Sequence, residues 1–127
     1  MTTQNPCPCC SGLSYGDCCA PFLHGQLNAP TAEQLMRSRY TAYTMDRQDY
    51  LLTTWHESTR PDRLELKAEP LMWLRLEILN REAGLVGDTE GVVEFVAHYK
   101  LNGKAHRLHE ASRFVIEQGR WFYVSAI

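Results

Sequence analysis

The chain has 127 residues, of which 44% are hydrophobic and 22% charged, and its formal net charge is -2. That length suits one compact domain with a small appendage, and the charge gives no bulk electrostatic footprint for nucleic acid. No apolar run approaches the ~20 residues of a membrane-spanning helix. Met1 to Pro6 is polar and leads straight into cysteines without an export signal, so the expected location is the cytoplasm.

Residues 1–25 hold all five cysteines, interleaved with Pro6, Pro8, Gly12, Gly16, Pro21 and Gly25. This segment is too poor in apolar residues to bury a core of its own. Residues 26–30 read as a linker, and residues 31–127 as the main domain. A helix is expected from Thr31 to about Met45. The Thr31 hydroxyl can cap its first turn, and Gln34 sits where a capping box places it. A second helix is expected over about Arg47 to His56, from the spacing of Tyr50, Leu51 and Trp55, with Arg60-Pro61 as its stop. Pro61 to Pro70 is ambiguous.

From Leu71 the period becomes two. Leu74, Leu76 and Ile78 alternate with Arg75, Glu77 and Leu79. Val93, Phe95, Ala97, Tyr99 and Leu101 alternate with Glu94, Val96, His98 and Lys100. Asn102-Gly103 signals a tight hairpin. A long strand from about Ala105 to Glu117 and a turn at Gln118-Gly119 lead into Trp121–Ser125. Helices followed by an antiparallel meander of about four strands make an α+β protein.

Cysteines clustered between positions 7 and 19, in a chain without an export signal, point to a metal rather than a disulfide scaffold. Cys7 and Cys9 form one pair and Cys18 and Cys19 another. Four thiolates satisfy zinc with no open coordination position, which is the pattern of a structural site. His24 is a minority ligand option, and a thiol redox sensor, with Cys10 as the extra thiol and zinc release as the switch, is a further functional alternative. The run Cys7-Pro-Cys9-Cys10-Ser11-Gly12 followed by Cys18-Cys19 resembles the SEC-C motif, the zinc module of the SecA translocation ATPase. Position 10 is usually Gly in that motif. Cys10 is thus a fifth thiol that could be a swapped ligand, a bystander or an oxidation-prone site.

Met36-Arg-Ser-Arg-Tyr40-Thr-Ala-Tyr43, Tyr50-Leu-Leu-Thr-Thr-Trp55-His56, Val93-Glu-Phe-Val-Ala97, Leu108-His-Glu110-Ala-Ser-Arg-Phe114 and Gly119-Arg-Trp121-Phe-Tyr123 resemble the YchJ family of small bacterial proteins. That resemblance implies a nuclear-transport-factor-2-like, or cystatin-like, cone in which a curved sheet wraps around helices. It implies no defined biochemical role.

On the first helix, Ala32, Leu35, Met36 and Tyr43 share a face, and Arg39 falls in its middle while Arg37 points away. A charge on a buried face must be paired or open to a cavity. Glu110 shares a strand face with Leu108, Ser112, Phe114 and Ile116, so it is the carboxylate expected to face Arg39 across the cone. One reading is a buried ion pair that sets the docking of helix on sheet. The other is a pocket in which Arg39 anchors an anionic ligand between Tyr40, Tyr43 and Trp55. The leading functional expectation is an adaptor whose zinc module contacts a protein or ribosome-associated partner through Tyr15, Phe22 and Leu23. A small-ligand binder or enzyme using the cone cavity is the alternative. No catalytic motif stands out.

Overall fold

The computed structural model describes residues 2–64 and 71–127. A 3-10 turn at Tyr15–Asp17 precedes helices α1 (Ala20–Leu23), α2 (Ala32–Thr44) and α3 (Gln48–Thr53). Strands β1 (Leu71–Ala83), β2 (Glu90–Leu101), β3 (Lys104–Glu117) and β4 (Arg120–Ala126) follow. They form one antiparallel sheet in the order β1-β2-β3-β4, so the expected α+β class is the observed one. Of the ambiguous stretch from Pro61, residues 65–70 lie outside the described residues.

Local chemistry sets most of these boundaries. The Thr31 hydroxyl accepts from the Gln34 amide at 3.2 Å and caps α2. Asn102 (φ 52) and Gly103 (φ 81), like Gln118 (φ 54) and Gly119 (φ 78), take left-handed conformations in two-residue hairpin turns. The β1–β2 connection depends on a glycine pair. Gly84 has φ +78, a Cβ on it would lie 2.7 Å from the Ala32 Cβ, and a Cβ on Gly91 would lie 2.5 Å from the Gly84 Cα. The Gly84 carbonyl also accepts from the Ala32 amide at 2.9 Å, tying the start of α2 to the end of β1.

Two expectations are corrected by tertiary contacts. α3 stops at Thr53 instead of reaching His56. The Thr54 hydroxyl turns back to the Tyr50 carbonyl at 2.7 Å. The Tyr123 amide then donates to the Thr54 carbonyl at 2.9 Å, and the His56 amide to the Tyr123 carbonyl at 2.7 Å. Trp55 is thereby bridged to β4. In β1, bulges skip Leu74 and Leu79. Bulges bend a strand and re-aim its side chains, so Leu74 is exposed at 42% while Leu76 is buried at 3%. Leu108 keeps the face it shares with Glu110 and Ser112 and lines the cone's cavity with them, though it is 41% exposed.

The concave side of the sheet buries Leu76, Val93, Phe95, Ala97, Phe114 and Trp121 against α2 and α3. α2 is covered on a second side as well. Ser38, Thr41 and Ala42 are fully buried: Thr41 meets Cys7 and Cys19 of the docked cysteine segment, and Ser38 meets the Tyr50 hydroxyl of α3 at 2.7 Å. The buried core runs from Cys7, Cys9 and Tyr15 through α2 into the sheet. A segment too small to bury its own apolar groups has borrowed a helix face to do so.

Candidate metal centre and cavity

Tight backbone turns bring the four expected ligands together. The Cys7 amide donates to the Leu13 carbonyl at 2.9 Å, and the Cys10 amide to the Cys7 carbonyl at 3.1 Å. The sulfurs of Cys7, Cys9, Cys18 and Cys19 lie within 4.8 Å of one another. Cys9 Sγ is 3.6 Å from Cys18 Sγ, and Cys18 Sγ is 3.8 Å from Cys19 Sγ. A tetrahedron of sulfurs about 2.3 Å from a central ion has edges of about 3.8 Å. The donor set therefore fits a tetrahedral ion held by soft ligands.

Electrostatics favour an ion here. Hydrogen bonds from Cys19 and Cys9 hold the Cys7 thiol below the usual range, and the same contact with Cys7 pushes Cys19 up. Cys9 is pushed up to about 12; the hydrogen bond from Cys19 favours its thiolate, but Cys7 and burial outweigh it. Four sulfurs this close cannot all be thiolates without a cation to neutralise them.

The surroundings orient the cluster. Thr41 of α2 places its hydroxyl 3.4 Å from Cys19 Sγ and 3.7 Å from Cys7 Sγ. The Ser11 hydroxyl lies 3.1 Å from Cys18 Sγ. Arg37, one turn before Thr41, donates from Nη1 to the Cys9 carbonyl at 2.8 Å and from Nε to Glu33 at 2.8 Å. Arg47 donates to the Leu23 carbonyl at 2.9 Å. Among the described residues, then, two arginines clamp the segment at both ends. Sequence reading sent Arg37 to the far side and gave it no role. Its i, i+4 spacing to Thr41 was the available signal, but only docking of the cysteine segment gives that face a meaning.

Cys10 lies outside the cluster and is exposed. It has φ 65, the left-handed region that favours glycine. That explains why the resembling motif carries Gly there. The Leu76 amide of β1 donates to Cys10 Sγ at 3.5 Å, so the thiol touches the cone rather than the other four sulfurs. His24 is exposed, with its ring edge-on to Tyr15 at 6.1 Å, and does not join the sulfurs.

The partner contacts expected at Tyr15 and Leu23 are corrected. Both are 3% exposed, and Phe22 packs against the core. They dock the segment onto its own cone. Leu13 and Leu27 are the exposed apolar residues there, at 53% and 61%.

Within the cone, a cavity of about 260 Å³ is lined by Arg39, Tyr40, Tyr43, Trp55 and Glu110, with Trp73, Phe95 and Tyr123 among its other walls. The five cavity residues singled out in the sequence thus line one space. The expected ion pair is not formed: among the described residues, no carboxylate lies within 4.0 Å of Arg39. Instead Nη1 donates to the Leu51 carbonyl at 2.8 Å and to the Thr54 hydroxyl at 2.7 Å. The guanidinium lies 5.1 Å from the Trp55 ring centroid and 4.7 Å from that of Tyr123. Arg39 is 4% exposed, and burial pulls it down to about 10. Tyr43, Tyr123 and Tyr50 offset part of that burial, and the Tyr43 hydroxyl also accepts from the guanidinium.

The family model for the YchJ middle domain, described as NTF2-like, matches residues 31–126. The chain belongs to the YchJ family. A UPF0225 protein of Chromobacterium violaceum is 52% identical over 124 residues, covering 95% of this chain and 91% of that one. One from Methylibium petroleiphilum is 53% identical over 119 residues, covering 94% and 85%. A SEC-C motif containing protein from Rhodopseudomonas palustris superposes with a TM-score of 0.84 at 33% identity, covering 95% of this chain and 96% of that one. A second, from Psychrobacter arcticus, gives 0.79 at 27% identity, covering 97% and 82%. The YchJ resemblance read from the sequence is therefore established. A cysteine cluster able to hold a metal ion accompanies it. No helix among the described residues is long and apolar enough to cross a membrane.

Proposed function

We propose that this YchJ-family protein is a small-ligand-binding protein. A structural zinc centre staples its N-terminal segment to a cone, and the cone takes an anionic ligand against Arg39. The observation that carries the reading is the condition of Arg39. Its charge is almost fully desolvated, lacks a carboxylate partner among the described residues, and stands at the wall of an aromatic cavity. A buried charge is costly unless something compensates it, and an anion entering the cavity would. Zinc suits the closed set of four thiolates, and iron shares that geometry. Elemental analysis of the purified chain should find about one zinc per molecule; iron in its place would correct the metal.

The ligand reading is tested with 3-phenylpropanoate in NMR titrations. Resonances of Tyr43 and Trp55 should shift in the parent and stay fixed in Arg39→Met. Equal binding by both proteins would remove Arg39 as the anchor.

A second reading, an adaptor for a protein or ribosome-associated partner, draws support from a groove of about 580 Å³ beside the metal centre. Leu13, Pro21, Phe22, Leu27 and Pro30 line it, with Cys18 in its wall. Exposed Leu13 and Leu27 replace Tyr15 and Leu23 as its contacts. Capture from lysate should then be lost in a Leu13→Asp, Leu27→Asp variant that keeps its metal. Unaltered capture by that variant would count against this surface.

A further inference from the structure

We infer that the cavity's ligand is a small zwitterion, with an anionic group for Arg39 and an ammonium or other N–H-donating group for Glu110. This rests on the ligand-binding reading above and fixes the chemical class within it.

Glu110 stands opposite Phe95 in the sheet register, on the concave face of β3. Its Oε2 accepts from the Ser112 hydroxyl at 2.8 Å, and Ser112 is 1% exposed. Among the described residues, no cationic side chain lies within ion-pairing distance of it. Yet Glu110 and Arg39 are close enough to act on the same group. After burial, Glu110 is the main influence raising the Tyr123 hydroxyl, and Arg39 lowers it. Arg39 lies 4.7 Å from the Tyr123 ring centroid, and both charges line the same cavity as Tyr123 without pairing with each other.

Separate anchors keep them apart. Arg39 is tied to Leu51 and Thr54 and rests against two rings, while Glu110 is tied to Ser112. Binding groups fixed in advance lose little freedom when a ligand arrives. A simple anion at Arg39 would meet the like charge of Glu110, and a simple amine would meet Arg39. A molecule with both charges satisfies both walls. Between them Tyr40, Trp73, Phe95 and Ala97 suit a flat or apolar body. The volume of about 260 Å³ lies just below the usual range of small-molecule pockets, about 300–1,000 Å³. The ligand is thus of amino-acid size.

The test uses the full-length metal-loaded protein at pH 7 and four probes of similar bulk. 3-Phenylpropanoate carries only the acid and phenethylamine only the amine. Phenylalanine and 4-(aminomethyl)benzoate carry both, at short and long separation. At least one zwitterion should bind about tenfold more tightly than either singly charged probe, as expected for one added charge contact in a shielded site. Glu110→Gln, which keeps the Ser112 contact, should abolish that preference and leave 3-phenylpropanoate bound as well or better. If the plain acid matches or beats both zwitterions in the parent, the zwitterion assignment fails and the Arg39 anion site stands. If none of the four binds, both fail. An unchanged melting temperature for Glu110→Gln separates loss of preference from loss of fold.

Discussion

Replacing Arg39 by Met separates a ligand anchor from a structural key. Breaking a buried ion pair by removing one partner typically costs about 3–5 kcal/mol, because the remaining charge is stranded. Arg39 leaves no such stranded carboxylate among the described residues. Its own charge is expensive: a guanidinium pulled by burial to about 10 carries that charge at a cost of about 3 kcal/mol. The substitution relieves this cost. It forfeits two hydrogen bonds, at Leu51 and Thr54, worth about 1 kcal/mol each. It also forfeits two ring contacts worth about 1 kcal/mol each. The methionine sulfur recovers part of the ring term, and the Thr54 hydroxyl keeps its bond to the Tyr50 carbonyl. The net change should be within about 1.5 kcal/mol, or about 6 °C in melting temperature for a chain of this size. Urea unfolding followed by tryptophan fluorescence measures it directly. A loss above about 3 kcal/mol, with ligand titrations unaffected, would refute this reasoning and make Arg39 a docking device.

The remaining expectations concern the metal centre and the fold. Cys18→Ser should abolish stoichiometric metal while Cys10→Ser leaves it intact, read by elemental analysis; equal losses would make Cys10 a ligand. Gly84→Ala should destabilise by about 2 kcal/mol or more in chemical denaturation, since a side chain there combines a left-handed backbone with a clash at Ala32; a melting temperature equal to the parent's would show that the turn yields. Glu33 is held below the usual carboxylate range: burial opposes ionisation, but Arg37 and Arg81 outweigh it. A depressed folded-state pKa stabilises above the ordinary carboxylate range, and that stability is lost as pH falls through the folded value. Glu33→Gln should accordingly weaken the protein modestly at pH 7, by about 0.5–1 kcal/mol for a pair this accessible, and make little difference at pH 3. A deficit of the same size at both pH values would refute the ionic origin.

Much of the fold was legible because its signals are local. Thr31 and Gln34 lie three residues apart and cap one turn, and Asn102-Gly103 carries its own backbone preference. The alternation around Val93 to Ala97 marks the face turned to the helices, but Val96 and His98 on the opposite face are buried as well, which the period does not state. The strand face holding Glu110 and Ser112 could be read the same way, which is why the cavity residues were found. The length of α3 was misread because the bond that ends it comes from Tyr123, far along the chain. Leu74 was misplaced because a bulge, which leaves no mark in the period, shifts its parity.

The cysteines show the same division. Their number and spacing determined that residues 7 to 19 could close four thiolates around one ion, since ligands so near in sequence need only tight turns to meet. What that segment rests on was decided by tertiary structure alone. Arg37 reaches the Cys9 carbonyl, Thr41 reaches Cys7 and Cys19, and Tyr15 and Leu23 turn inward. Arg39 shows it most sharply. Its place on a buried face was fixed by the 3.6-residue period. Whether its charge would meet a carboxylate, two aromatic rings or a ligand depended on how α3, β3 and β4 close around it, and no local sequence term encodes that packing.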